Sequence, residues 1–141
     1  MNLHPLVQRL VDTGAAAAIR IDTIDAWLER GGLQLLFFSG DPVRFPEGAD
    51  VAVVLPELRA AFGGRFEIGV VERADEDAVA RRFASVHWPA LVVLRDGRWV
   101  ARIDGMKDWD DYLREVGAAL DKPASPPPIA IAVVAADSGC H

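Results

Sequence analysis

Few side chains in this 141-residue chain are suited to covalent or metal chemistry, and they are scattered. The sole cysteine is Cys140, and the histidines are His4, His87 and His141. Nucleophilic catalysis needs a base within reach of the nucleophile and a third group to orient that base. His87 has neither near it in sequence, and His4 and His141 are terminal. Cys140 and His141 supply two ligands where a structural zinc site needs four. One thiol forms no internal disulfide, which suits a reducing cytoplasm. We therefore expect a cytoplasmic protein with no catalytic residue, no metal and no cofactor. The enzyme-class alternative is a single-thiol oxidoreductase working through Cys140.

The other candidate chemistry is charge. Asp41, Glu47, Asp50 and Glu57 face Arg44 alone, and Asp104, Asp108, Asp110, Asp111, Glu115 and Asp121 face Lys107 and Arg114. Carboxylates in such density attract cationic partners over a distance and offer bidentate acceptors to arginine. Acids at helix starts also serve as caps, the ordinary role for Asp22, Asp50, Asp75 and Asp108. A net charge of -6 excludes binding to a phosphate backbone, which requires clustered Lys and Arg. With 51% hydrophobic and 26% charged residues there is material for one soluble core. The longest apolar run near the end, Ile129 to Ala136, is far short of the roughly 20 residues that span a bilayer. We expect no membrane insertion and no secretory leader.

Periodicity supplies the elements that would carry these groups. Leu3, Leu6, Val7, Leu10 and Val11 predict a helix over about residues 3 to 12, stopped at Thr13-Gly14. A short strand follows within residues 16 to 21, then a helix capped by Asp22 with Ile24, Trp27 and Leu28 on one face. Leu33 to Phe38, apolar except for Gln34, reads as a strand covered on both sides. A Gly/Pro/Asp-rich loop runs from Ser39 to Asp50, and Asp50 starts a helix that Pro56 should kink. Phe66 to Val71 is a strand, and Asp75 caps a helix burying Val79, Phe83 and Val86. Strands 90–95 and 98–103 flank Asp96-Gly97, a strong hairpin signal. A last helix, opened by Asp108 and Asp111, buries Trp109, Tyr112, Leu113, Val116 and Leu120. Strands joined through helices run parallel and the hairpin adds antiparallel neighbours, so the fold class is α/β with a mixed sheet between helices. Residues 1–121 form the domain; residues 122–141, beginning Lys-Pro-Ala-Ser-Pro-Pro-Pro, are a Pro-rich linker and tail.

This order, with Pro56 in the helix after the central strand and Trp88-Pro89 directly before the hairpin, resembles the thioredoxin fold over about residues 16 to 120, with an extra N-terminal helix and an irregular tail. The resemblance implies a cis Pro89 beside a groove for extended peptides. It also implies that the two thiol positions of the family fall on Gly48 and Val51, and its buried carboxylate on Leu36. None of the three can perform dithiol chemistry, which needs a low-pKa thiolate and a resolving cysteine.

A narrower likeness lies in Asp41-Pro42-Val43-Arg44-Phe45-Pro46-Glu47, followed by Pro56-Glu57-Leu58 and Trp88-Pro89-Ala90-Leu91-Val92. These strings are similar to the thioredoxin-like hydrogenase expression proteins of the HyaE/HupG type. The likeness implies a chaperone in [NiFe]-hydrogenase maturation whose partner is the twin-arginine signal peptide of the small-subunit precursor. In this fold the loop of Asp104 and Gly105 approaches Pro89, so that acidic stretches flank one groove. The candidate peptide-binding residues are Asp41, Pro42, Arg44, Pro46, Glu47, Trp88, Pro89, Asp104 and Gly105. Pro42 and Pro46 would stiffen the loop, and Arg44 would clamp a partner's carboxylate or, slightly favoured, Glu47. Trp88 would stack on a peptide or pack beside Pro89. Trp27, Trp99 and Trp109 are expected to be structural. A third reading is a scaffold in a larger assembly without signal-peptide specificity.

Overall fold

The apolar run at the centre of the chain forms the middle strand of a five-stranded sheet. In the computed structural model, which describes residues 3–83 and 87–126, the strands are β1 (Ala17–Ile19), β2 (Leu33–Phe38), β3 (Phe66–Val71), β4 (Ala90–Arg95) and β5 (Arg98–Asp104). Their spatial order is β1-β3-β2-β4-β5. β1 and β2 both run parallel to β3, while β4 is antiparallel to β2 and β5 to β4. This mixed sheet is the thioredoxin-like arrangement expected from the order of elements. Side chains alternate across β2: Leu35 and Phe37 enter a cluster under α1 (Pro5–Asp12), α3 (Glu47–Ala61) and α5 (Trp109–Leu120). Leu36 and Phe38 enter a second cluster with Trp27 and Leu28 of α2 (Ile24–Leu28) and Val79, Ala80 and Phe83 of α4 (Glu76–Phe83). A strand buried on both faces needs apolar residues at successive positions, which is why the run lacks alternation. Gln34, the exception, is also buried and donates Nε2–H to the Trp27 carbonyl at 2.7 Å.

The helix starts differ from expectation in instructive ways. α1 takes Pro5 at its first position and is capped by His4, whose Nδ1 accepts from the Leu6 N–H at 3.0 Å. Asp22 does not cap α2; it pairs with Arg20 at 3.2 Å, and Thr23 occupies the cap position. α3 begins three residues before Asp50, because Pro46 already holds a helical φ of -62° and no N–H is required there. Asp50 therefore lies in the first turn rather than at the cap, and the helix continues through Pro56. Asp75 sits in a short 3-10 turn (Arg73–Asp75) before α4, and its carboxylate accepts the Ile21 N–H at 2.9 Å, tying α4 to the end of β1. Asp108 does occupy the α5 cap position with extended backbone, but makes no side-chain cap bond. Trp109, expected inside, is 41% exposed because α5 settles onto the sheet only from Tyr112 onward.

The hairpin is as the Asp-Gly pair predicts: Asp96 and Gly97 have φ of 52° and 77°, the left-handed conformations of a two-residue turn. Beyond α5, Arg95 reaches the Leu120 and Lys122 carbonyls, and the Ser125 N–H donates to the Trp99 carbonyl at 2.8 Å. The chain thus stays on the domain through Ser125. Val86, the apolar stretch after residue 128, Cys140 and His141 lie outside the described residues. No helix among the described residues is long and apolar enough to cross a membrane.

Gly69 of β3 fixes how closely the second layer approaches. A Cβ there would lie 2.8 Å from both Ile19 Cγ1 and Trp27 Cζ2. Gly69→Ala is expected to lower unfolding free energy by about 1–3 kcal/mol through overpacking. An unchanged urea midpoint would refute that close junction.

Candidate functional site

At the carboxyl end of β2 the chain leaves the core through Ser39 and Gly40 and forms a self-contained loop. Asp41 Oδ1 accepts the Val43 N–H at 2.8 Å and the Arg44 N–H at 3.3 Å, and the Phe45 N–H donates to the Asp41 carbonyl at 2.8 Å. Gly40 has φ of 77°, and a Cβ on it would meet Phe45 Cδ2 at 2.8 Å and Trp88 Cβ at 3.0 Å. It is the point at which the 39–46 loop closes against the loop before β4. On the side facing α1, Pro42 and Phe45 line a small crease with His4, Val7 and Gly48, while Val43, at the loop's tip, is 87% exposed.

The second loop carries a cis peptide bond between Trp88 and Pro89. The Trp88 ring stacks on Phe38, with centroids 5.5 Å apart and planes 25° apart, so part of its surface belongs to the core. The Pro89 carbonyl accepts the Gly105 N–H at 2.7 Å, and the Gly105 carbonyl accepts the Tyr112 hydroxyl at 3.0 Å. Buried Tyr112 thus anchors the β5–α5 loop, and that loop anchors Pro89. Among the described residues no hydrogen bond uses the main-chain N–H or C=O of Trp88. Trp88, Pro89, Asp104 and Gly105 do converge, with Asp104 opposite Ala90 in the ladder.

The charges are arranged differently from the expected open acidic groove. Asp41 faces Arg73 at 3.7 Å, and Asp104 faces Arg102 at 3.0 Å. Arg44 does not clamp Glu47; its guanidinium lies over the Phe45 ring, 5.4 Å from the centroid. Phe45 and Pro46 separate the two residues, and the adjacent Phe45 ring is the partner that Arg44 takes. Pro46 and Glu47 stand exposed at the start of α3. Glu47, Asp50, Asp108 and Asp110 form no ion pair among the described residues, so they supply the uncompensated negative charge.

Two residues that the sequence did not single out hold the first loop. Glu76, 1% exposed, accepts the Gly40 N–H at 2.9 Å and pairs with Arg73, which in turn reaches Asp41. Burial of the Glu76 carboxylate raises its pKa despite the opposing bonds from Gly40 and Arg73. The Asp41 carboxylate shifts the other way, lowered first by the Val43 and Arg44 N–H groups. An acid in the first turn of a helix reads in sequence as a dipole partner, and nothing in its spacing distinguishes Glu76 from Asp77.

The positions inherited from dithiol chemistry are closed. Gly48 is buried, and a Cβ there would lie 2.6 Å from the Ser39 carbonyl oxygen; Val51 is 2% exposed and Leu36 is fully buried. No group of three or more His, Cys, Asp and Glu able to hold a metal occurs among the described residues.

The Glu76 shift gives a signed pH dependence. A raised native pKa means the folded state binds the proton more tightly, so the Glu76 contribution to stability falls as pH rises from the ordinary glutamate range through the native pKa. The stability of Glu76→Gln relative to the parent chain should therefore climb over that window and level off above it. Urea midpoints between about pH 4 and pH 8 measure this, and a difference constant with pH would contradict it.

With this geometry established, comparison with known proteins is informative. The family model described as hydrogenase-1 expression protein HyaE matches residues 6–112. The chain is 53% identical to the hydrogenase expression/formation protein HoxO of Cupriavidus necator, over 97% of this chain and 88% of that protein. It is 42% identical to HupG of Bradyrhizobium diazoefficiens, over 72% and 71% of the two chains. A crystal structure described as the hydrogenase expression/formation protein hupG of Rhodopseudomonas palustris is similar, with a TM-score of 0.54 and 40% identity, covering 74% of this chain and 94% of that one. The fold, the closed thiol positions and these similarities agree, and the chain belongs to the HyaE family of hydrogenase expression proteins.

Proposed function

We propose that this chain is a non-catalytic chaperone of hydrogenase maturation that grips an extended, arginine-bearing segment, the signal peptide of the hydrogenase small-subunit precursor, before export. The role in hydrogenase maturation follows from family membership and the printed names of the relatives. The grip is inferred from one observation: the main chain of Trp88 has no hydrogen-bond partner among the described residues, beside a loop fixed by Gly105 and Tyr112. A peptide group with no such partner, beside an anchored loop, suits main-chain pairing with an extended segment.

Charge supplies the selectivity in this reading. Glu47 and Asp50, exposed and without an ion-pair partner among the described residues, are the acceptors for partner arginines. Pro42, Arg44 and Pro46 shape the loop, and Asp41 and Asp104 act mainly within the protein. Trp88 offers the partner the part of its ring left free by Phe38. Thiol chemistry is not part of the mechanism, since the positions that would carry it hold Gly48 and Val51.

A synthetic small-subunit signal peptide is expected to bind at low ionic strength and to weaken as salt rises, because exposed charge pairs are screened. Replacing its two arginines with glutamine, or making Glu47→Gln with Asp50→Asn, should weaken binding about two- to five-fold per exposed pair lost. Titration calorimetry decides the matter: equal affinity for both peptides removes the electrostatic element, and no binding of either removes the function.

A further inference from the structure

The connection between α4 and the 39–46 loop is built from buried charge, and buried charge is an expensive way to gain stability. Removing two ions from water costs more than an apolar pair of the same volume would, unless geometry and further hydrogen bonds offset the loss. Here the bonds go to one place. Glu76 accepts from the Gly40 N–H at 2.9 Å. Arg73, 15% exposed in its side chain, holds Glu76 with one guanidinium nitrogen at 2.5 Å and faces Asp41 with another at 3.7 Å. Both loop contacts fall on successive residues, Gly40 and Asp41, where the turn that Asp41 closes begins. Gly40 is also the point where that loop packs against Phe45 and Trp88. Stability alone would need no such convergence.

We propose that Arg73 and Glu76 are positioning residues that hold the 39–46 loop in the conformation that receives the extended partner segment. They touch no partner themselves. Glu76 fixes where the chain leaves β2, and Arg73 carries that constraint to Asp41, whose carboxylate shapes the turn presenting Val43 and Arg44. This inference rests on the function proposed above for its binding half, whereas the loop-holding half concerns the free protein alone.

The test uses the full chain with Glu76→Gln, which is isosteric, and Arg73→Gln, singly and together. Amide hydrogen exchange is read in the free protein at Gly40, Val43 and Arg44, with Leu91 and Val93 of β4 as internal references. Each single variant should speed exchange at the loop amides roughly ten-fold relative to β4, as expected when the buried ion pair that holds the loop is broken and the loop opens more often. The double variant should exceed neither single one appreciably, since the two residues act as a unit. Affinity for the arginine-bearing peptide should fall several-fold with its salt dependence unchanged, because no group contacting the peptide has been removed. Loop and β4 amides accelerating in step, or not at all, would overturn the loop-holding role. A loosened loop with undiminished affinity would overturn the link to binding. A parent chain that binds neither peptide fails the proposed function instead, and the exchange ratios still decide whether the pair holds the loop.

Discussion

The carboxylate of Glu76 is the group on which the loop leaving β2 depends. It lies where water hardly reaches, so its charge has to be balanced by the protein: by the Gly40 N–H and by Arg73. Those partners do not fully offset desolvation, which is why the carboxylate holds its proton more tightly than an exposed glutamate. A group in that position constrains its surroundings strongly, because shifting any partner leaves a buried charge uncompensated. The 39–46 loop consequently behaves as part of the α4 end of the fold rather than as a free excursion from the sheet.

The same end of the sheet explains how a scaffold shared with dithiol proteins can serve another purpose. The thiol positions are filled by a glycine with no room for a side chain and by a buried valine, so the first turns of α3 pack directly against Ser39. The cis Trp88–Pro89 loop and the Gly105 bond that steadies it are present without the sulfur they border in the related fold. What persists is the cis Trp88–Pro89 loop tied to Gly105, and through Gly105 to Tyr112.

Much of this was legible from residue pattern. The double-sided burial of β2 follows from an apolar run interrupted only by Gln34, the hairpin from Asp96-Gly97, and the meeting of Pro89 with Gly105 from the resemblance to the thioredoxin fold. Helix starts were less legible: Asp22, Asp50 and Asp75 have the right residue type for capping, but a proline entry to α3 and a tertiary bond to Ile21 outcompete the local option. Trp109 was misplaced because helical periodicity does not say where along its length α5 meets the sheet. The Arg73–Glu76–Asp41 chain was not legible at all. Arg73 and Glu76 are neighbours on one helical turn, but Gly40 and Asp41 are remote from both in sequence, and local pattern carries no information about a contact between residues 40 and 76.

That hidden contact also changes how the acids should be understood. Counted from sequence, Asp41 and Asp104 look like a pair of jaws for arginine, yet each already has a cation within 4 Å. An arginine arriving at either would share an occupied carboxylate and gain little. Seen from beyond a Debye length of roughly 8–10 Å, an internal ion pair is nearly neutral, so the field felt by an approaching partner comes from Glu47, Asp50 and the start of α5. Such exposed charges affect the rate of encounter more than the lifetime of a complex. The lifetime has to come from contacts that exclude water, which in the proposed reading would lie along the Trp88 main chain and the apolar side chains beside it.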